Sequence, residues 1–155
     1  MHAVDPRRTA SAKFADAWLG LDVGTDIALA NAVAREIIAS DLHNKDFIAH
    51  STRGFEDFAA HVDTYTLERA SSITGVPAKA IQALAHDYAS APSAQILWTL
   101  GITEHHNGVD NVLSLCNLAL LTGHVGRWGS GLVPLRGQNN VQGGGDMGAL
   151  PNKLP

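Results

Sequence analysis

A chain of 155 residues has the length of one ordinary domain and can bury a substantial core. Its 45% hydrophobic and 17% charged residues are a globular composition and exclude an intrinsically disordered chain. The net charge of −4 argues against non-specific nucleic-acid binding, which needs a basic surface. The sequence has no apolar run of about 18 residues, so we expect no membrane contact from it. The first eight residues, MHAVDPRR, lack the apolar stretch of a signal peptide, which does not bear on location if the chain is a fragment; the location that we expect is cytoplasmic.

The amino-terminal region predicts a strand and a helix. Residues 4–7 have the character of a strand's carboxyl end, because Pro6 lacks the N–H that would continue the ladder. Apolar residues at helical spacing predict a helix over 27–38. Thr25 or Asp26 is expected to cap this helix by accepting a backbone N–H bond.

The middle of the chain predicts three more helices and a second strand. Short helices are expected over 55–62 and 66–72, and Pro77 is a favourable first-turn residue for a helix that runs to about residue 90. The apolar run 94–100 has the length of a strand and lies between a proline and a glycine. It therefore predicts a buried parallel strand, followed by a loop.

The last third of the chain is rich in glycine. A helix over 109–122 is expected to stop at Gly123, and nine of the fifteen glycines lie between Gly123 and Gly148. This density predicts a long loop without regular elements, and its amides and arginine favour a functional loop. The expected fold class is α/β, with a Rossmann-like parallel sheet flanked by helices over 1–122 and a glycine-rich loop over 123–155.

The only cysteine and the eight histidines limit the metal chemistry of the chain. Cys116 allows no intrachain disulfide and cannot alone build an iron–sulfur or zinc site, and its apolar surroundings predict a buried packing role. His105 and His106 are adjacent, so their side chains diverge, and no His-x-x-x-His pattern occurs. His124 is expected either to bond the last carbonyls of the preceding helix or to lie near a ligand. Solvent-exposed positions are expected for the others discussed: His43, His50, His61 and His86.

The segment 135–143, LRGQNNVQG, concentrates the groups that could perform chemistry. A guanidinium such as that of Arg136 holds a small carboxylate by two parallel hydrogen bonds. The four amides that follow offer donors and acceptors to a polar heterocycle, and the glycines let a ligand approach the backbone. A solvent-exposed loop with a surface arginine explains the same residues, and composition alone does not separate the two interpretations. Neither classical phosphate loop is present, which disfavours nicotinamide binding.

The string LVPLRGQNNVQGGGDMGALP over 132–151 resembles the pterin-and-substrate loop of formate dehydrogenase catalytic subunits, in the dimethyl sulfoxide reductase superfamily of molybdopterin oxidoreductases. The stretches LALLTGHVG at 118–126 and GSG at 129–131 are similar to the helix and turn before that loop. The similarity runs from Asp5 to Pro155. RGQNNVQG is its specific part, whereas DPR and GTD alone would be weak signals.

The resemblance implies a molybdenum or tungsten enzyme with a bis-pterin guanine dinucleotide cofactor (molybdopterin guanine dinucleotide) that oxidises formate to carbon dioxide. Arg136 matches the arginine beside the metal, which orients formate and stabilises charge. Gln138 matches a cofactor contact, and Leu100, Gly101 and Glu104 match a strand-end loop that passes close to the cofactor. A glutamine can stand at position 104 in such proteins, and a carboxylate beside an anionic cofactor is unfavourable.

Two further groups match positions near the nucleoside part of one dinucleotide. Asp5 and Arg7 stand at a strand end, where an acid can bind ribose hydroxyls and an arginine can neutralise diphosphate. A local turn with an ion pair is the alternative. Gly24, Thr25 and Asp26 match a guanosine contact, with a helix cap as the alternative, and one residue can serve both purposes.

The resemblance also implies parts that these residues do not include: a cysteine or selenocysteine metal ligand followed by histidine, and the four cysteines of a 4Fe-4S cluster. We therefore expect a fragment, inactive alone, with 1–122 as the α/β dinucleotide-binding portion and 123–155 as the pterin and substrate loop. Its expected partners are formate, the rest of the catalytic subunit and electron-transfer subunits, and the parent enzyme could be periplasmic. The alternatives are another molybdopterin oxidoreductase (nitrate reductase-like or a quinone-linked subunit) and a non-catalytic nucleotide-binding remnant.

Overall fold

The computed structural model describes residues 1–150, so the end of the predicted pterin loop, residues 151–155, lies outside the described residues. Helices predominate, and the strands are short. In chain order the elements are β1 (His2–Val4), α1 (Ala10–Phe14), β2 (Ala17–Leu19), α2 (Asp26–Ala39), α3 (Lys45–Ser51), α4 (Phe55–Val62), α5 (Leu67–Thr74), α6 (Ala78–Ser90), β3 (Gln95–Trp98), α7 (Leu100–Thr103), α8 (Gly108–Thr122), β4 (Gly131–Pro134) and α9 (Val141–Asp146).

Helix α2 is the centre of the hydrophobic core. It packs against α4, α5, α6 and α8, and its residues 28–34 are buried without interruption. Apolar residues occur on all sides of this helix, which is the pattern of a helix surrounded by other elements. Small alanines such as Ala32 and Ala34 let the neighbouring helices approach closely. The amino-terminal three-quarters of the chain is therefore organised around one helix.

The helices predicted in the middle of the chain are confirmed. Gly75 and Gly123 adopt left-handed φ angles of 72° and 69° and end α5 and α8, where only glycine adopts this conformation without strain. The prediction that a side chain of Thr25 or Asp26 accepts a backbone N–H bond at the start of α2 is wrong. Thr25 stands at the N-cap position, but its hydroxyl donates to the Asp22 carbonyl at 2.6 Å instead of accepting from the helix.

The strands of the described residues form two separate parallel pairs instead of one continuous sheet. In the first pair Val4 of β1 lies opposite Leu19 of β2, and in the second Trp98 of β3 lies opposite Pro134 of β4. The predicted parallel strand at 94–100 is thus confirmed in its pairing but not in its burial, because Leu97 is 55% exposed. A strand in a two-stranded pair has an open edge, which explains the exposure.

The glycine-rich carboxyl-terminal segment contains regular structure, which corrects the prediction of an irregular loop. β4 pairs with β3, and α9 forms on the sequence VQGGGD despite three consecutive glycines. The loop expected after β3 also begins with a helical turn, α7. For β4, pairing with β3 has overridden the low local propensity of the segment for a strand. Among the described residues, no helix has both the length and the apolar character needed to span a membrane.

Two of the histidines expected to be solvent-exposed, His43 and His86, contact other side chains and are partly buried. The His43 side chain is only 12% exposed and stacks on Phe55 with ring centroids 5.4 Å apart, so its predicted solvation is wrong. His86 is half-exposed, and its Nε2 lies 3.0 Å from the Glu36 carboxylate. His50 and His61 are exposed, as predicted.

Candidate functional site

The residues predicted for the site lie at or just beyond the carboxyl ends of the two parallel strand pairs. Because the strands of each pair are parallel, both of their carboxyl ends meet at one edge, where α/β proteins bind their ligands. The β1–β2 edge carries Asp5 and Arg7 after β1, Gly24 and Thr25 between β2 and α2, and Asp26 as the first residue of α2. The β3–β4 edge carries Leu100, Gly101 and Glu104 after β3, and Arg136 and Gln138 after β4.

A surface depression of about 150 Å³ opens at the β3–β4 edge. Leu100, Arg136 and Gln138 line it, so three predicted site residues from separate segments meet there. Gly101 and Glu104 lie outside its lining. The other lining residues, which the sequence did not single out, are Trp98, Thr99, Thr103, Pro134, Leu135, Gly137 and Val141.

Local backbone contacts bring Arg136 to this depression. The N–H of Leu135 donates to the Trp98 carbonyl at 2.7 Å, which extends the strand pairing by one residue beyond β4. The next turn passes close to α7, because a Cβ at Gly137 would lie 3.3 Å from Leu100 Cδ1. The arginine is thus held between a strand end and a close contact of the Gly137 backbone with the Leu100 side chain.

The Arg136 side chain is exposed and has a neutral hydrogen-bond acceptor. Its Nη2 donates to Gln142 Oε1 at 3.3 Å, and Gln142 Nε2 donates to Asp146 Oδ1 at 3.4 Å. None of the ion pairs formed within residues 1–150 includes Arg136. Its positive charge is therefore not cancelled by a carboxylate of the described chain and remains available to an anion. The sequence analysis counted Gln142 only among the four amides that could face a heterocycle and assigned no role to Asp146. The spacing of four brings these two side chains together once α9 is helical.

The β1–β2 edge is built around a local turn. The N–H of Arg7 donates to Asp5 Oδ1 at 2.7 Å, and the Trp18 indole N–H donates to the Asp5 carbonyl at 2.8 Å. The turn of the alternative interpretation is therefore present, but its ion pair is not formed in the described residues. Gly24 has a φ of 85°, and a Cβ placed there would meet nothing within 4 Å. At this edge the backbone of Gly24 is accessible, the side chain of Arg7 is exposed, and Asp5 is partly buried.

These two edges fit an extended anionic cofactor with polar heterocycles. Exposed guanidinium groups of Arg7 and Arg136 suit phosphate or carboxylate oxygens. Gly24 and Gly101 both present backbone to open space, which allows close approach of a ligand. Glu104 is exposed, and like Asp5 and Asp26 it is a predicted contact whose negative charge opposes such a ligand.

His124 is a buried structural residue, because both of its ring nitrogens are used within the protein. Its side chain donates from Nε2 to the Tyr88 carbonyl at 2.9 Å, and its Nδ1 accepts from Arg127 Nη2 at 2.6 Å. Burial lowers the pKa of His124, which agrees with a neutral ring. The predicted bond from His124 to the last carbonyls of the helix is confirmed through its backbone, because its N–H donates to the Ala119 carbonyl, whereas its side chain bonds elsewhere.

Cys116 and the remaining acids and histidines do not assemble a metal centre within the described part of the chain. Cys116 is half-buried on α8, which is less burial than its apolar neighbours predicted. Among residues 1–150, no three His, Cys, Asp or Glu side chains are placed to hold one ion.

Short parallel strand pairs among many helices place the chain in the mixed α/β class of proteins. The sequence profile described as molybdopterin oxidoreductase matches residues 1–155. The chain belongs to the molybdopterin oxidoreductase family.

Curated relatives narrow the similarity within that family. The chain is 48% identical over 153 residues to subunit alpha of F420-dependent formate dehydrogenase 2 from Methanococcus maripaludis, covering 99% of this chain and 23% of the relative. It is 48% identical over 151 residues to formate dehydrogenase H from Escherichia coli, covering 97% of this chain and 21% of that protein. The chain therefore spans less than a quarter of the length of these relatives.

The fold is shared with a solved structure that carries a different name. Acetylene hydratase from Pelobacter acetylenicus matches with a TM-score of 0.79 and 32% sequence identity, over 83% of this chain and 18% of that one. The similarity supports the mixed α/β arrangement of short parallel strands and many helices.

Proposed function

We propose that this chain is a segment of the catalytic subunit of a formate dehydrogenase, an oxidoreductase that converts formate to carbon dioxide. The observation that carries the proposal is the exposed Arg136 guanidinium at the β3–β4 edge, which forms no ion pair within the described residues. The formate dehydrogenase names of two relatives at 48% identity support the same substrate. A small planar carboxylate such as formate suits the two parallel donors of a guanidinium.

A bis-pterin guanine dinucleotide with molybdenum or tungsten would supply the two-electron redox chemistry when bound. In this proposal Arg136 orients formate, Gln138 offers its amide to the pterin, and Leu100, Gly101 and Glu104 lie beside the cofactor. Asp5, Arg7, Gly24, Thr25 and Asp26 receive the nucleoside and diphosphate at the β1–β2 edge. Residues 1–122 then act as the dinucleotide-binding portion and 123–155 as the pterin and substrate segment.

The rest of the enzyme would come from outside these residues. The metal ligand, a 4Fe-4S cluster and the electron-transfer subunits belong to the proposed partners, and the proposed location of the segment is cytoplasmic. We infer that β1–β2 and β3–β4 are parts of larger Rossmann-like sheets. The exposure of Leu97 on β3 supports this, because an added strand or helix would cover it.

Replacement of Arg136 tests the substrate role. In the full-length subunit, Arg136→Ala should lower formate turnover by about 100-fold or more with the metal content retained, because a preorganised cation beside the reacting charge is lost. Steady-state kinetics and metal analysis measure the two quantities. Arg53→Ala, at an exposed position between α3 and α4, is the matched control and should keep normal turnover. Loss of metal or unfolding in Arg136→Ala would show that the residue is structural.

A second candidate is another reaction of the same family, such as that of a nitrate reductase-like or quinone-linked enzyme. It is favoured by the match to acetylene hydratase, since that structure shows the fold under a different name. A substrate panel on the loaded enzyme separates the two, because the present proposal requires formate to be oxidised. A non-catalytic nucleotide-binding remnant would bind guanine nucleotides and oxidise none of the substrates.

A further inference from the structure

We infer that Gln142 is a positioning residue that orients Arg136 while keeping the negative charge of Asp146 one side chain away from it. The three side chains form a chain of hydrogen bonds from the guanidinium through the amide to the carboxylate. The functional meaning of this arrangement rests on the proposed oxidation of an anionic substrate, whereas the arrangement itself rests on geometry alone.

The amide of Gln142 can adopt only one orientation between these neighbours. An amide has an acceptor end and a donor end, which a flip exchanges. The guanidinium of Arg136 only donates, so it requires Oε1, and the carboxylate of Asp146 only accepts, so it requires Nε2. Both contacts select the same orientation, and the i,i+4 spacing in α9 keeps Gln142 and Asp146 adjacent.

A neutral acceptor has an advantage over a direct ion pair. If Asp146 contacted Arg136 itself, the two charges would largely cancel and an incoming anion would find a weaker field. Gln142 fixes the direction of the guanidinium with an uncharged oxygen, so the full positive charge faces the depression at the β3–β4 edge. Two separable effects follow. The length of the Gln142 side chain sets the orientation of Arg136. Its lack of charge preserves the affinity of the site for anions.

The orientation can be tested on the 155-residue chain without cofactor. Nitrogen-15 NMR of the guanidinium, assigned by the signal lost in Arg136→Lys, should show rotation about the Nε–Cζ bond at least about two-fold slower in wild type than in Gln142→Ala. Asp146→Asn should give an intermediate rate, because the amide is then free to flip. Identical Arg136 rates in wild type and Gln142→Ala would overturn the inference.

The charge effect is tested in the loaded full-length enzyme. Gln142→Glu should raise KM for formate about ten-fold and weaken competitive inhibition by nitrate to a similar degree, because a carboxylate then pairs with Arg136. Gln142→Ala should lower kcat and leave nitrate inhibition nearly unchanged, because the charge is retained and the orientation is lost. A purely structural role would not separate these two variants in this way.

The control for the added charge is Gln95→Glu, an exposed position at the opposite end of β3 from the depression. Equal KM values in Gln142→Glu and Gln95→Glu, with metal content retained in both, would overturn the inference and leave formate oxidation standing. A loaded wild-type enzyme that fails to oxidise formate would refute the proposed function instead, and the NMR experiment would then decide the role of Gln142 alone.

Discussion

Glu36 is a carboxylate on the central helix α2 that is only 7% exposed. Burial opposes its charge, but hydrogen bonds from Gln82, His86 and Ser40 outweigh burial and hold the pKa of Glu36 below its ordinary value. The distances to Oε1 are 2.9 Å from Gln82, 3.0 Å from His86 and 3.3 Å from Ser40. Two of these partners, Gln82 and His86, stand on α6. The buried carboxylate therefore connects α2 to α6, which packs against it in the core.

The lowered pKa of Glu36 predicts how stability depends on pH. A group whose pKa is lower in the folded state contributes stability that is full above its unfolded pKa and lost as pH falls through its folded pKa. Glu36→Gln should reduce the free energy of unfolding by about 1–3 kcal/mol near pH 7, and the difference from wild type should narrow below about pH 4. Urea unfolding of both proteins across this pH range measures the difference in their free energies of unfolding. The exposed Glu56→Gln on α4 is the control, and a difference that stays constant with pH would contradict the account.

At the scale of elements, the end of α8 and the start of α3 are joined at one point. Asn44 caps α3 by accepting from the Phe47 N–H at 2.9 Å, and its own N–H donates to the Leu121 carbonyl at 2.9 Å. Gly123 lies directly against this cap, because a Cβ there would be 2.8 Å from Asn44 Nδ2. The glycine is needed both for the left-handed turn and for the contact between helices.

Gly123 and Gly126 have nearly the same backbone conformation. A comparison of the two separates the need for a left-handed turn from the need for space beside Asn44. Gly126 has a φ of 72°, close to the 69° of Gly123, but a Cβ there would meet nothing within 4 Å. Gly126→Ala should therefore cost about 1 kcal/mol from backbone strain alone. Gly123→Ala should cost about 1–2 kcal/mol more, because it also displaces the Asn44 cap. Thermal unfolding of both variants compares them, and equal losses would mean that the contact with Asn44 is unimportant.

At the scale of the whole molecule, the core and the carboxyl-terminal part of the candidate site occupy different parts of the chain. The buried hydrophobic residues lie between Ala12 and Leu121, and no residue over 125–150 is fully buried. The β3–β4 edge therefore rests on strand pairing and on contacts with α8 more than on a core of its own. A segment with few buried apolar contacts opens locally at a lower free energy than the core.

Hydrogen–deuterium exchange should reveal this division. Amides of β4 and α9 should exchange about 100-fold or more faster than those of the centre of α2 in the unliganded chain, because local opening suffices to expose them. The amide of Val33, in the fully buried part of α2, is the internal reference. Comparable protection in both regions would show that the carboxyl-terminal segment is part of one cooperative unit with the core.

The residues whose behaviour depends on their immediate neighbours could be predicted from the sequence. Gly75, Pro77 and Gly123 mark helix ends because a left-handed φ or a missing N–H acts within one turn of the chain. Arg136 was singled out from its own string of amides and glycines through the resemblance that this string carries. The roles of Gln142 and Asp146 could not be predicted, because α9 had to be helical before their spacing placed them together.

The sequence by itself determined the family, most of the helices and the arginine that marks the candidate site, because composition, helical periodicity and a specific string are local features of the sequence. Only the tertiary structure decided that β3 and β4 pair, that the strands of the described residues form two pairs, and that Leu100 faces Arg136 across one depression. Strand pairing joins residues more than 30 positions apart through backbone groups that every residue shares. The packing of the helices between β3 and β4 therefore decides that these two strands pair. The side chains of a strand do not by themselves specify its partner.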